Sequence, residues 1–303
     1  MDTDTAPDIS AAGRRDLTHH LHPYTQLRQL EQEGPLVIVR GDGVRVIDEN
    51  GREYIEGMAG LWCASLGFSE KRLAEAAYRQ MQVLPYYHAF SGKVPGPVTE
   101  LVEALLRWAP VPMGRVLLAN SGSESNDTAF KLMRYHWNAK GKPKKKKIIA
   151  RDRAYHGVTT AAASLSGIPI MHQHFDLPID GVVRVSCPDL YRNARDGETP
   201  AQFVERLAVE LEQTIAREGP ETIGAFIAEP VQGAGGVVIP PPGYFERVQA
   251  ILERHEILFI ADEVITGFGR LGKPFGTQVF GLRPDMITVA KMMTSAYVPM
   301  SAL

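Results

Sequence analysis

The sequence predicts an α/β protein: a large, mostly parallel β-sheet covered by helices on both faces, preceded by a small N-terminal unit. Two observations carry this expectation. From about residue 70 onward, short apolar runs alternate with segments whose apolar residues recur at helical spacing, as strands buried on both faces alternate with crossover helices. Each of these runs is followed at once by a polar or glycine-bearing cluster. Parallel sheets bind their ligands there, at the carboxyl ends of the strands.

The elements follow in order. Residues 1–35 are polar and rich in His and Pro, and read as an arm with one short helix near residues 25–33. Residues 35–54 read as a small antiparallel unit. LVIVR, VRVID and REYIE are broken by GDG and ENG, where Gly beside Asp or Asn suits hairpin turns. VLLA (116–119) is a short strand. In residues 124–137, Ala129, Leu132, Met133 and Trp137 form a helical stripe. KIIA (147–150) is a strand, and Val204, Leu207, Leu211 and Ile215 mark a helical face. IGAFIA (223–228) is a strand, Phe245, Val248 and Leu252 mark a helix, and ILFIA (257–261) and MITVA (286–290) are strands. The expected division is an arm with part of a small domain over residues 1–69 and a large domain over residues 70–303.

Composition excludes several function classes. The chain of 303 residues is 44% hydrophobic, enough for a sizeable core. Its net charge of -2 creates no field that would recruit nucleic acid or an anionic membrane. The one basic run, KPKKKK (142–147), reads as a solvated loop, since a backbone-tracking face needs more basic residues with aromatics between them. Cys63 and Cys187 lie outside any CxxC pattern, as in a reducing compartment. The start, MDTDTAPDIS, has no apolar segment of a signal peptide, and no apolar run reaches transmembrane length. A cytoplasmic setting is expected. No Cys or carboxylate set of ligand spacing accompanies His19, His20 and His22, or His172 and His174, so no metal is expected.

The clusters after the strands carry the chemistry. After VLLA come Ser121, Gly122, Ser123 and Glu124. Ser121 and Glu124 have capping-box spacing, so a helix starts here. Its free N–H groups, a glycine and two hydroxyls suit a phosphate; on this motif alone a plain N-cap is the favoured reading. After ILFIA comes Asp262, an acid behind five apolar residues that wants a cation, either a pyridinium nitrogen or an ion-pair partner such as Arg270. After MITVA comes Lys291. A desolvated lysine loses its proton and becomes an amine nucleophile able to form a Schiff base; the alternative is a lysine that snorkels to the surface. After KIIA come Tyr155, His156 and Gly157, an aromatic able to stack on a flat ring. After IGAFIA come Glu229 and Gln232. Five strands thus deliver a phosphate cradle, a stacking ring, two acids and a lysine to one rim.

With NSGSESND, RAYHG, AEPVQG, ADEVITGFGRLGKPFG and ITVAKMMTSAYVPMSA in this order, the chain resembles class III aminotransferases, fold-type I enzymes that use pyridoxal 5'-phosphate. The separation of Asp262 and Lys291 also fits. The resemblance implies that Gly122 and Ser123, beside Ser121, bind the cofactor phosphate. It places Tyr155 and Val264 on opposite faces of the pyridine ring, with His156 beside Tyr155. It pairs Asp262 with the ring nitrogen, sets Gln232 near the ring hydroxyl and has Glu229 support the Asp262 region. Lys291 is the Schiff-base lysine and moves the proton. His20, His22, Pro23 and Tyr24 with Gly60, Leu61, Trp62 and Cys63 resemble the omega-amino acid:pyruvate branch. There Trp62 lines the amine-donor pocket, although core packing is an equal alternative. The implied partners are a primary amine or omega-amino acid donor, a 2-oxo acid acceptor such as pyruvate, and a second copy in a homodimer. Other reactions of the family, of diamine, biotin-pathway or aminomutase type, and an inactive fragment remain alternatives.

The family continues well past Lys291, whereas this sequence ends at Leu303. The expectation is a truncated chain that lacks the family's carboxylate-binding arginine and cross-subunit threonine. Its last residues should be a strand left with an unpaired edge, and these residues alone should not sustain turnover.

Overall fold

The computed structural model describes residues 9–303. The chain divides into two compact units, Met1–Tyr78 and Arg79–Leu303.

In the first unit, helix α1 (Ala11–His19) is capped by Ser10, whose Oγ accepts from Gly13 N at 3.0 Å. Helix α2 (Leu27–Glu33) lies where a helix was expected; α1 was read as arm, because its polar sequence carries little apolar periodicity. Strands β1 (Ile38–Asp42), β2 (Arg45–Asp48) and β3 (Glu53–Ile55) form the expected antiparallel meander in the order β1-β2-β3. A four-residue turn, α3 (Ala59–Trp62), holds Gly60 and Leu61 in the left-handed region at φ 58° and 63°. Helix α4 (Lys71–Val83) runs across the boundary between the units.

The second unit begins with helix α5 (Gly96–Trp108). Strand β4 (Leu118–Ala119) leads into helix α6 (Gly122–Ala139), and β5 (Lys147–Arg151) precedes α7 (Thr160–Leu165). Next come β6 (Val182–Val185), α8 (Leu190–Asn193), α9 (Pro200–Glu218), β7 (Ile223–Ala228) and α10 (Tyr244–Arg254). The last elements are β8 (Leu258–Asp262), α11 (Gly276–Val279), β9 (Met286–Thr288) and β10 (Ser301–Ala302).

Five strands make a wholly parallel sheet in the order β6-β5-β7-β8-β9. Side chains alternate across it, as the pleat demands. Ile149, Phe226 and Phe259 face a core built with Phe203, Leu207 and Leu211 of α9 and Phe245 and Val248 of α10. Their neighbours Ile148, Ala225, Ile227 and Ile260 face the other way, onto Ala129, Phe130, Met133 and Trp137 of α6. At Gly224 the helix comes close enough that a Cβ would lie 2.2 Å from Met133 Sδ, and Trp137 Nε1 donates to Gly224 O at 2.8 Å.

Two expectations change. VLLA does not pair within the parallel sheet. Its β4 pairs antiparallel with β10, and Ala302 pairs antiparallel with Val289 beyond β9. Two reversals leave β4 parallel to β9, so its carboxyl end still faces the same rim. The terminal strand is therefore flanked on both sides, with Leu303 and Leu117 exchanging hydrogen bonds at 2.8 and 2.9 Å. It does not form the unpaired edge expected of it.

The basic run is not wholly solvated either. Lys142 and Lys147 pair with Glu256 and Glu218 at 2.7 and 2.9 Å, but Lys145 is only 4% exposed. Its ammonium donates to the carbonyls of Ile223, His255 and Glu256 at 2.9–3.1 Å and lies 4.7 Å from the Trp137 ring centroid. Burial pulls its pKa down. These carbonyls end α10 and open β7, where the backbone offers acceptors but no donor. Lys145→Met would leave them buried and unpaired, at a cost of about 3 kcal/mol. Urea unfolding checks this: a loss under about 0.5 kcal/mol, the size of an ordinary surface change, would show the cage to be dispensable.

Candidate active site

The loops after β4, β5, β7, β8 and β9 meet at one rim of the second unit. Asp262 ends β8, and its partner across the ladder is Thr288, the last residue of β9. Adjacent strands lie about 4.8 Å apart, so the loop that carries Lys291, three residues beyond Thr288, starts next to the acid. Lys291 sits at φ 48°, a left-handed conformation rare for a side-chain-bearing residue. Met293 N bonds Ala290 O at 3.0 Å, and Thr294 N and Ala296 N both donate to Lys291 O at 3.3 Å. Such strain persists only where surrounding structure imposes it, and it clusters at functional sites.

Asp262 is 3% exposed and its two oxygens differ. Oδ2 accepts from Asn126 Nδ2 and His156 Nδ1, both at 2.8 Å. Oδ1 accepts, among the described residues, only the backbone N–H of Val264 at 3.0 Å. One oxygen is saturated by side chains, while the other keeps a lone pair for a further donor. The hydrogen bond to His156 places the imidazole proton on Nδ1. His156 Nε2 and Asn126 Oδ1 are buried without a hydrogen-bond partner among the described residues.

The N-terminus of α6 supplies the second part. Ser121 Oγ accepts from Glu124 N at 3.2 Å, and the Glu124 carboxylate accepts from Ser121 N at 3.2 Å and Asn120 N at 2.6 Å. The expected capping box is present. It leaves the N–H groups of Gly122 and Ser123, in the first turn, without partners inside the helix. A Cβ on Gly122 would lie 2.9 Å from Val264 Cγ2 and 3.7 Å from Ala290 Cβ. The helix N-terminus, the loop after Asp262 and the residue before Lys291 are thus in mutual contact. Ser123 Oγ accepts from Val158 N at 3.1 Å, which leaves its own proton free to donate. From β10, Ser301 Oγ donates to Ser121 O at 2.7 Å and pins the turn.

The loops after β5 and β7 are tied together by Glu229. Its carboxylate accepts from Tyr155 N at 3.1 Å and Gly233 N at 2.8 Å, and Arg151 Nη2 donates to its backbone carbonyl at 2.6 Å. Burial holds the Glu229 pKa up; nearby Asp262 adds to this, while His156 and Arg151 oppose it. Gln232 is wholly buried, donating to Asp152 O at 3.0 Å and accepting from Cys187 Sγ at 3.4 Å. Glu263, next to Asp262, accepts from Gly276 N, Thr277 N and Thr266 Oγ1 and so fixes the following loop; burial raises its pKa.

A family model described as aminotransferase class-III matches residues 28–303. The chain belongs to the class III aminotransferase family. Among its relatives, the mitochondrial gamma-aminobutyrate transaminase 1 of Oryza sativa subsp. indica is 51% identical over 284 residues, covering 93% of this chain and 55% of the relative. Vanillin aminotransferase of Capsicum frutescens is also 51% identical, over 93% of this chain and 62% of its own. A solved omega transaminase from Pseudomonas jessenii, in complex with PMP, superposes with a TM-score of 0.96 at 52% identity. It covers 97% of this chain and 65% of that one. This chain therefore spans a little over half the length of the curated relatives it matches.

In this member of the class III aminotransferase family, the loops at the rim carry ten residues singled out in the sequence: Ser121, Gly122, Ser123, Tyr155, His156, Glu229, Gln232, Asp262, Val264 and Lys291. Trp62 belongs to the first unit, half-buried, with its backbone N–H donating to Met58 O at 2.7 Å. Asn126, which with His156 completes the Asp262 grip, was not singled out. Its signal was present: it follows Gly122 by four residues on a helix, which puts both on one face. Chemically, the rim offers a helix N-terminus for an anion, a carboxylate oxygen for a cationic N–H, and an amine beside it.

Proposed function

We propose that this rim binds pyridoxal 5'-phosphate. We further propose that the protein transfers an amino group from an omega-amino acid or other primary amine to a 2-oxo acid such as pyruvate. The observation that carries the reading is the asymmetry of Asp262. Asn126 and His156 lock one oxygen, and the other remains to hold a protonated ring nitrogen through a charge-assisted bond. The fit extends to the helix N-terminus at Gly122 and Ser123, which suits the phosphate, and to Tyr155 and Val264, which flank the ring. When bound, the cofactor supplies an electron sink for a carbanion at the substrate's amine-bearing carbon. Asp262 keeps the nitrogen protonated and orients the ring. Lys291 would hold the cofactor through its amine, and that amine, when free, would move a proton as general base and acid.

Three finer points belong to this proposal. The donor pocket includes Trp62, the working form is a homodimer, and the setting is cytoplasmic. No helix among the described residues is long and apolar enough to cross a membrane, although several plant relatives are named mitochondrial or chloroplastic. The reading is tested by supplying amine and pyruvate to the full-length protein and measuring alanine formed. Trp62→Ala should change the relative rates with beta-alanine, 4-aminobutyrate and 1-phenylethylamine severalfold while leaving cofactor affinity within about twofold, because a pocket wall discriminates by roughly 1–3 kcal/mol. Unchanged relative rates would assign Trp62 to packing. No alanine from any of the three donors would remove the aminotransferase reading.

A further inference from the structure

We propose that Asp16, His20 and His22, outside the rim, form a binding site for a divalent transition-metal ion of the zinc class. The sequence predicts no metal at these histidines; the folded helix brings Asp16 onto their face. Asp16 lies in the last turn of α1, and His20 N donates to Asp16 O at 2.8 Å, so the helical turn is closed between them. Residues four apart share a helix face. At His20 the chain leaves the helix for an extended conformation, φ -104° and ψ 123°. That brings His22 back over the same carboxylate, its ring centroid 4.2 Å from that of His20.

The donor atoms converge. His20 Nδ1 lies 2.9 Å from Asp16 Oδ1, and His22 Nε2 lies 2.6 Å from Asp16 Oδ2. One ligand atom from each residue lies within 4.8 Å of the others. Around a tetrahedral zinc with bonds of about 2.0–2.1 Å, neighbouring ligand atoms stand about 3.4 Å apart. The two histidine–aspartate separations need to widen by less than about 1 Å to admit the ion in place of the bridging protons. Side-chain exposures of 25% and 23% for Asp16 and His22 show them partly shielded, while His20 at 59% leaves an open side for water. Two imidazoles and one carboxylate suit zinc, copper or nickel better than the oxygen-seeking magnesium or calcium.

The plain alternative is a carboxylate hydrogen-bonded to two imidazoles that never meets a metal, and zinc separates the two. The chain is dialysed against zinc chloride in metal-depleted buffer and bound zinc is counted. The expected result is one ion whose affinity falls at least ~10-fold in His22→Ala and in Asp16→Asn, since losing even a supporting partner costs roughly 10–100-fold. His172→Ala should retain it. Circular dichroism of the metal-free variants guards against unfolding. A second readout needs no variant: zinc should protect His20 and His22, but not His172 and His174, from diethyl pyrocarbonate. Absence of bound zinc, equal zinc in His22→Ala, or equal modification of all four histidines would overturn the proposal.

Discussion

Asp262→Asn should leave the fold intact and lower the transamination rate by roughly 10³–10⁴-fold, the scale seen when one charged member of a catalytic unit loses its charge. Asparagine can retain the hydrogen bonds to the two side chains and loses the one to Val264 N. With its oxygen at the Oδ2 position it still accepts from Asn126 and His156. Its NH2 group then occupies the Oδ1 position and faces the Val264 N–H and the proposed ring nitrogen, both donors. The grip survives; the charge that keeps the ring nitrogen protonated does not. The thermal midpoint should move by only a few degrees, as one hydrogen bond is worth about 1 kcal/mol. Stopped-flow rates of each half-reaction, beside a melting curve, check this. A variant within a few-fold of the parent would make Asp262 a structural acid whose work ends with holding α6 against β8.

Lys291→Ala should abolish turnover while sparing non-covalent cofactor binding. The cofactor contacts proposed for Ser123, Tyr155 and Asp262 do not involve the lysine, so cofactor should still copurify, held without a covalent link. Removing the amine removes both the attachment and the proton carrier, so the expected loss exceeds that of Asp262→Asn. The fold should tolerate the change, because Lys291 closes its turn through its backbone carbonyl alone. Residual turnover above about 1% of the parent would mean that another group moves the proton.

Much of this arrangement was legible in the sequence because burial forces it. IGAFIA is a strand over its full length, since a run of six residues buried on both faces satisfies its backbone by pairing with the strands beside it. Ser121 and Glu124 announced the start of α6 through their capping spacing. What escaped was set by contacts distant along the chain. VVRV of β6 is a four-residue strand carrying Arg184, whose guanidinium caps the end of α7 through the carbonyls of Ser164, Leu165 and Ser166. No local pattern signals that. The burial of Lys145 depends on carbonyls contributed by β7 and α10, and the insertion of β10 between Val289 and β4 depends on a pairing of residues far apart in sequence. The candidate site was legible as a list because each residue directly follows a strand. Its inner support was not: Asn126 and the pinning hydroxyl of Ser301 hold Asp262 and Ser121 through geometry alone.

The central claim is that the amine beside Asp262 is the one that captures the cofactor. Incubating the chain with pyridoxal 5'-phosphate, reducing with borohydride and mapping the modified peptides by mass spectrometry tests it directly. The account predicts a single phosphopyridoxyl group, on Lys291, with labelling lost in Lys291→Ala. A label on Lys273, or on the exposed lysines of residues 142–147 with Lys291 unmodified, would contradict it.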